Sequence, residues 1–587
     1  MKKIFVIAGL MLCSVMMMAG ETMKGFEQYR LENGLTVFLW EDADATDVFG
    51  ATVTRAGAID EPATATGLAH YLEHMLFKGT ETMSALDWEK ERPYYEQIIR
   101  LYDTLALTTD AKAREAIQLR INEASIAAAQ YSATDEFSNL IQSIGGEGLN
   151  AATGEDLTFY HNSFPAHQME RWLTLYADRL TRPVFRTFQA ELENVFEEYN
   201  MYQDNNMEHV QEFMNAKLYA GTPYERPIIG YPEDLKNPKL RQLIDFFHTW
   251  YVPNNMALIL VGNFNAEETK PLIEKTFGRL EAKPLPERVQ VGQTPFEADE
   301  RYSAKLGYMP ELIIGFDGVK ADHKDAEVLD FAMDILSNEM GIGLLDKLAM
   351  DNKLMFAAAI SDAKREIGRI EILAIPYMDG ETQKYTSIAE TEKMVRAEIE
   401  KLIRGEFDDE LIETIRMHQL MDYQRQMEYP LMKAMIMMQD YAMGVDAEED
   451  IKNYEERMRA ITREDIVRVA GQYLTRPSKT FEIAEGTPKK DKLAKPKIKH
   501  LDSPHGQSAY SKAFEQIPAG KLIPRFTDLT DIDKDNFSET VHVYCTPNPK
   551  NDIFSLTLKY GIGTYEQPML EYVAEMLNIF SISATYS

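Results

Sequence analysis

Cysteine is nearly absent: Cys13 and Cys545 are the only two in 587 residues. That excludes a disulfide framework and any zinc site built on cysteine clusters. An excess of positive charge is absent too, with 94 Asp and Glu against 62 Lys and Arg and a formal charge of −32. Such a balance argues against a nucleic-acid backbone as the main partner. After residue 20 no apolar run reaches 18 residues, so no transmembrane helix is expected in the mature chain. The composition of a disordered chain is lacking as well, since 45% of residues are hydrophobic and 27% charged. Length is what this chain has, enough for several cores rather than one. Any metal it binds must be held by His and carboxylate.

At the N-terminus, Lys2 and Lys3 precede an uncharged run over residues 4–18, followed by Ala19 and Gly20. This is the pattern of a secretory signal peptide over residues 1–20. The run is short of the roughly 20 residues of a membrane span. Leu12 before Cys13 argues against lipidation. Export across the inner membrane to the periplasm is expected, with cleavage leaving a soluble protein that keeps only Cys545.

Periodicity gives an α+β chain. Residues 35–40 and 48–53 read as paired strands. A helix is expected over 66–77, closed by Lys78 and Gly79. Residues 85–130 read as two helices joined near 108–110, an insertion before the turn Gly145-Gly146-Glu147-Gly148. A long helix begins near Phe188, and the apolar string at 256–261 is a strand ended by Gly262. A second α/β stretch opens with a strand at 311–316 and carries helical patterns at 324–338, 387–404 and 408–443. Lys and Pro dominate 486–500, the mark of a solvated linker. Beyond it the sequence reads as the first domain begun again: 552–558 parallels the strand before Arg55, and 571–577 lines up with 70–76, an internal repeat. The domain scheme is therefore a signal peptide (1–20), a first α/β domain (21–275), a second (276–485), a linker (486–534) and an incomplete third copy (535–587).

The chemistry is carried by His70-Tyr71-Leu72-Glu73-His74 on the expected helix. At about 100° per residue, His74 lies roughly 40° from His70 on one side and Glu73 roughly 60° on the other, so the three share a face. Two imidazoles at i and i+4 can meet one zinc ion and leave room for a third ligand and a water. Glu73 beside them can take and return a proton. This is the H-x-x-E-H motif of the inverzincins, and with 11 His in the chain chance predicts only about 0.03 such strings. A third ligand is available on the helix from Phe188, where Phe188, Leu192, Val195, Phe196 and Tyr199 form an apolar stripe. Glu191 and Glu198, seven residues apart, edge that stripe together. Glu193 and Glu197 point away. The spacing leaves both Glu191 and Glu198 standing.

Here the sequence resembles the M16 (pitrilysin/insulinase) zinc metallopeptidases. The resemblance rests on residues 67–80 around the motif, Asn150-Ala151-Ala152-Thr153, residues 191–202, Arg226-Pro227-Ile228-Ile229-Gly230 and residues 251–256. It implies a fold of two related M16-type α/β domains. It implies Glu198 as third ligand of one zinc per chain beside His70 and His74, Glu73 as catalytic base, and Glu191 as a supporting carboxylate. It implies further that the strand at Asn150 and Ala151 is an open edge to which an extended peptide adds. The function implied is a secreted zinc-dependent endopeptidase or oligopeptidase acting on extended peptides inside a chamber closed by two halves. His74 and Glu198 are 124 residues apart, longer than in many relatives, and the insertion at 85–130 accounts for the excess. Full-length relatives continue through a second pair of domains that supplies an Arg/Tyr pair, and Glu571, Ala574 and Glu575 stand where the repeated motif would lie. The alternative readings are a catalytically silent binding or assembly subunit, or a half-enzyme needing a separate second-half chain; the partners expected beside peptide substrates are a second M16-type half or further copies in a homo-oligomer.

Overall fold

The computed structural model describes residues 23–573, except 289–290, 293–294, 495–498, 500–505, 525, 527–528, 531, 549 and 560. The signal peptide expected over residues 1–20 lies outside the described residues. The chain divides into two units, 1–523 and 524–587.

Six strands build the first sheet: β1 (Phe26–Arg30), β2 (Thr36–Glu41), β3 (Val48–Thr54), β4 (Glu147–Thr153), β5 (Thr158–Phe164) and β6 (Met256–Gly262), in the order β1-β2-β6-β3-β5-β4. β6 is buried at every position, and a strand apolar on both faces belongs at the centre of a sheet. This corrects the expected pairing of 35–40 with 48–53. β6 lies between those strands, parallel to β2 and antiparallel to β3. The connection 42–47 is longer than a tight hairpin turn and leaves room for the intruding strand.

The longer helices of this domain are α1 (Leu68–Met75), α2 (Trp88–Leu107), α3 (Ala111–Ala129), α4 (Glu136–Ser143), α5 (Met169–Asp178), α6 (Phe188–Tyr202), α7 (Asn206–Leu218), α8 (Leu240–Trp250) and α9 (Ala266–Thr276). One sheet face presents Val37, Leu39, Tyr160, Leu258 and Leu260 to Leu72, Ile98, Phe137, Trp172, Val195 and Phe247 in a common core. The insertion is the α2–α3 hairpin. Asp87 and Asp110 cap its helices by accepting the amides of Lys90 (3.2 Å) and Ala113 (2.8 Å).

The second sheet contains β7 (Glu300–Gly307), β8 (Glu311–Asp317), β9 (Leu354–Ala363), β10 (Gly368–Pro376) and β11 (Lys479–Glu485) in the order β7-β11-β8-β10-β9. Its helices are α10 (Ala326–Leu336), α11 (Leu344–Met350), α12 (Ile388–Arg404), α13 (Asp409–Gln426), α14 (Pro430–Met443), α15 (Ala447–Ala460) and α16 (Arg463–Tyr473). β7 and β11 are parallel, as β2 and β6 are, and the remaining pairs of this sheet are antiparallel. The two domains therefore repeat one topology, with the β9–β10 hairpin of the second corresponding to β4–β5 of the first.

The two domains also exchange helices. α14 lays Ala434, Met437 and Met438 on the second face of the first sheet, against Phe38, Phe49, Ile259 and Val261. Reciprocally, α7 lays Val210, Met214 and Leu218 against Ile313, Phe481 and Ile483 of the second sheet. Each large apolar side chain so buried is worth about 1.5–3 kcal/mol, so neither sheet face is left bare.

The stretch expected as a solvated linker is instead strapped to the first domain over much of its length. Leu493 is 3% exposed, and its backbone exchanges hydrogen bonds with the Asn200 carboxamide (2.7 and 3.0 Å). Ser508 donates from its amide and hydroxyl to Glu136 (3.0 and 2.8 Å). A short helix, α17 (Ala509–Phe514), buries Phe514 in the first core. The Lys/Pro composition masked a few widely spaced anchors that suffice to fasten the segment.

In the unit 524–587, β12 (Asp533–Ser538) and β13 (Val541–Cys545) form an antiparallel hairpin. Residues 552–558, expected as a strand, are not one. Their alternating Phe554, Leu556 and Leu558 are exposed, because a strand needs a paired neighbour to satisfy its backbone. Most of 571–577 lies outside the described residues. Among the described residues no helix is long and apolar enough to cross a membrane.

Candidate active site

α1 starts where the backbone turns through Gly67 at φ +78°, a left-handed conformation that suits glycine. A side chain there would run into the Ile229 carbonyl. Glu61 accepts the amides of Gly67 (3.0 Å) and Ala69 (2.7 Å) at the positive end of the helix. Burial pushes the Glu61 carboxyl up to about 8 against those two amides. Leu68, Leu72 and Met75 turn into the core. Tyr71 stacks on Phe188 with ring centroids 4.4 Å apart, and its hydroxyl donates to the Phe188 carbonyl. That contact ties the motif helix to the start of α6 and sets how far along α6 each glutamate falls.

The two glutamates left open by spacing separate here. Glu198 Oε2 is 3.3 Å from His70 Nε2 and 3.5 Å from His74 Nε2. Glu191 Oε1 instead meets His74 Nδ1 at 2.9 Å, accepts from Asn194 Nδ2 at 3.1 Å, and its other oxygen is 2.5 Å from Lys78 Nζ. Glu193 and Glu197 join neither contact. Glu73 faces the same cleft and accepts a 2.6 Å hydrogen bond from the Thr153 hydroxyl at the end of β4.

Charge follows this geometry. Burial, and then the neighbouring His74, push His70 down to about 4. Burial opposes protonation of His74, but hydrogen bonds to Glu191 and Glu198 carry it up to about 10. Glu191 is held down to about 2: burial opposes this, and His74 with Lys78 outweighs it. Glu198 is lowered the same way by the imidazoles. Burial raises Glu73, with Thr153 pulling the other way.

The donor set fits a zinc ion. His70, His74 and Glu198 each offer an atom, all within 4.8 Å of one another. Bonds of about 2.1 Å in a tetrahedron put neighbouring donors about 3.4 Å apart, and the Nε2–Oε2 separations are 3.3 and 3.5 Å. His70 Nδ1 is buried without a hydrogen-bond partner.

β4 is the edge of its sheet, with Asn150 opposite His161 and Ala151 opposite Tyr160 on β5. Leu149, Asn150 and Ala151 border a cleft of about 810 Å³ that also contains His70, Glu73, His74 and Glu198. A second hollow of about 400 Å³ shares His70, Glu73 and Ala151 and continues past Glu208, Glu212, Asp362 and Lys364. Sequence reasoning had not singled out Thr153, Lys78 or Asn194. Thr153 sat in plain view at the end of the Asn-Ala-Ala-Thr string, and its tie to Glu73 spans 80 residues.

The insulinase (peptidase family M16) model matches residues 37–92 and 124–231, and the unmatched stretch falls within the α2–α3 hairpin. The model described as the peptidase M16 inactive domain matches 239–418. The zinc protease PqqE of Helicobacter pylori is 23% identical over 464 residues, covering 76% of this chain and 90% of that protein. A protease structure from Helicobacter pylori superposes with a TM-score of 0.62 at 20% identity, over 78% of this chain and 99% of that one. The first half of the periplasmic protease PqqL from Escherichia coli gives 0.60 at 15% identity, over 85% and 99%. In whole PqqL the match covers 54% of that chain.

Proposed function

The chain belongs to the M16 family of peptidases, and on that premise we propose that it is an exported, zinc-dependent endopeptidase or oligopeptidase. The observation carrying this reading is the convergence of His70 Nε2, His74 Nε2 and Glu198 Oε2 beside the Glu73 carboxylate. In this reading His70, His74 and Glu198 hold one zinc per chain. Glu191 orients His74 from its far nitrogen and supports the ligand set. A bound zinc supplies Lewis acidity, polarising the scissile carbonyl and acidifying the attacking water. Glu73 takes the proton from that water and returns it to the departing amine. Burial raises the Glu73 carboxyl above the usual carboxylate range, which makes it a better proton acceptor than a free carboxylate. The peptide lies along β4, pairing its backbone with the open edge at Asn150 and Ala151, so many sequences bind.

Export is supported by the charged, apolar and small residues of 2–20 and by the periplasmic protease named among the structural neighbours. The deciding experiment is metal analysis and peptide cleavage on the purified chain. About one zinc per chain is expected, with cleavage lost on chelation and restored by zinc. A zinc-loaded chain that cleaves no peptide alone favours the half-enzyme or silent-subunit reading. Restored activity on adding a second-half chain identifies the half-enzyme.

The second hollow adds a side-chain preference. Glu208 and Glu212 are one helical turn apart on α7, and among the described residues neither is ion-paired with Lys or Arg. Peptides with Lys or Arg reaching this hollow are expected to be cleaved faster. Glu208→Gln with Glu212→Gln should reduce the preference over a neutral analogue about 10-fold, the value of one charge-assisted hydrogen bond. Paired kcat/KM values on matched basic and neutral peptides measure it.

A further inference from the structure

The β4–β5 and β9–β10 hairpins occupy corresponding places in the two domains, and they meet tip to tip. Their turns close identically, Gly154 N donating to the Leu157 carbonyl and Lys364 N to the Ile367 carbonyl, both at 2.8 Å. The first tip carries Glu155 and Asp156, and the second carries Lys364 and Arg365 with Glu366 beside them, 3.5 Å from Arg365 Nε. Lys364 Nζ is 3.0 Å from Glu155 Oε1. Arg365 grips Asp156 three ways: Nε lies 3.3 Å from Oδ1, its amide donates to Oδ2 (3.3 Å), and Nη1 donates to the Asp156 carbonyl (3.2 Å). Tyr224 donates to the same carboxylate at 2.8 Å. The Arg365 and Asp156 side chains are 3% and 2% exposed. Charges so buried are held in one geometry.

The clasped tip leads directly to the catalytic base. Thr153 immediately precedes Gly154 and donates to Glu73 Oε2 at 2.6 Å. From the other side, the amides of Ala58 and Ile59 donate to the carbonyls of Gly154 and Glu155, both at 3.1 Å. These contacts hold the tip of the β4–β5 hairpin from both sides. The depth at which the last residue of β4 meets Glu73 is therefore set partly from the second domain.

We infer that Arg365, assisted by Lys364, is a positioning residue: through the hairpin clasp the second domain fixes the substrate strand β4 and, by way of Thr153, orients the Glu73 carboxylate. The inference rests on the peptidase reading for its consequence but not for its geometry. It gives the domain matched by the M16 inactive-domain model a positioning task in catalysis, beyond lining the second hollow with Asp362 and Lys364. A misplacement of about 1 Å in such a site costs up to about 10²-fold in rate.

The test uses the full-length chain with Thr153→Val, Arg365→Met, the double variant, and Thr153→Ser and Arg365→Lys as conservative controls. Each single change is expected to lower kcat by about 10-fold while zinc affinity, measured by chelator competition, stays at the wild-type value. Because Arg365 acts through Thr153, the double variant should be no worse than the worse single one. The conservative controls should recover most of the loss. Independent effects that multiply, or an unchanged kcat in folded Arg365→Met, overturn the inference. Amide hydrogen exchange on the metal-free protein gives a second readout, expected to accelerate across 147–157 in Arg365→Met while α1 keeps its protection. If Arg365→Met does not fold, Lys364→Ala should give the same direction with a smaller size, and unchanged exchange there also overturns the clasp. A wild-type chain without zinc-dependent cleavage, both alone and with a second-half chain added, would instead defeat the peptidase reading, leaving exchange to decide the clasp.

Discussion

Glu73→Gln abolishes most peptide hydrolysis, lowering kcat/KM by about 10²–10⁴-fold, while zinc content stays at the wild-type level. The substitution keeps the shape of the side chain and its acceptor for the Thr153 hydroxyl, so the cleft is not rearranged. What it removes is a basic oxygen. A carboxamide cannot accept a proton from water at neutral pH, and it has none to return to the leaving amine. Because Glu73 is not among the converging donors, which are His70, His74 and Glu198, metal uptake is expected to stay close to the wild-type level. Parallel metal analysis and kinetics check the pair of results. Unchanged turnover sinks the role of base, and loss of zinc would mean that the residue supports the ligand set instead.

How far the sequence reached can be judged at particular residues. The shared face of His70, Glu73 and His74 follows from helical periodicity, which is local, and the structure puts all three around one cleft. Glu191 and Glu198 defeat that kind of reasoning. Seven residues bring them back to within about 20° around the helix but about 10.5 Å apart along it. Only the axial position of α6 against α1 separates them, and the long-range contact of Tyr71 with Phe188 fixes it. The strand order failed for a related reason. Alternation identified β2 and β3, yet whether β6 inserts between them is decided by burial on both of its faces. The strap after β11 was hidden differently, because three buried anchors among many lysines outweigh composition. The match between the hairpin tips was equally out of reach: Glu155 and Lys364 are 209 residues apart, and their turns show no obvious likeness until the topologies are compared.

Glu198→Gln is the sharpest test of the metal site, because here the geometry separates residues that spacing could not. A neutral amide oxygen in place of the carboxylate removes the one negative ligand, and zinc affinity is expected to fall by more than about 10²-fold, the upper range for partners that only support a ligand. Glu191→Gln, which loses the brace on His74 Nδ1 but no converging atom, should cost about 10–100-fold. Glu73→Gln should cost nothing. The order of zinc retention is therefore Glu73→Gln, then Glu191→Gln, then Glu198→Gln. Protons offer a second check on the same assignment. In the metal-free chain His74, raised to about 10 by Glu191 and Glu198, carries a proton at neutral pH. Zinc must displace that proton, so apparent affinity should rise with pH across the neutral range, by about 10-fold per unit for one proton. Removing the Glu198 charge lowers the His74 pKa and should flatten that slope. Chelator competition between pH 6 and 9 (roughly the range either side of neutrality) measures affinity and slope together. Zinc bound as tightly in Glu198→Gln as in the wild type, with the same slope, would reassign the third ligand.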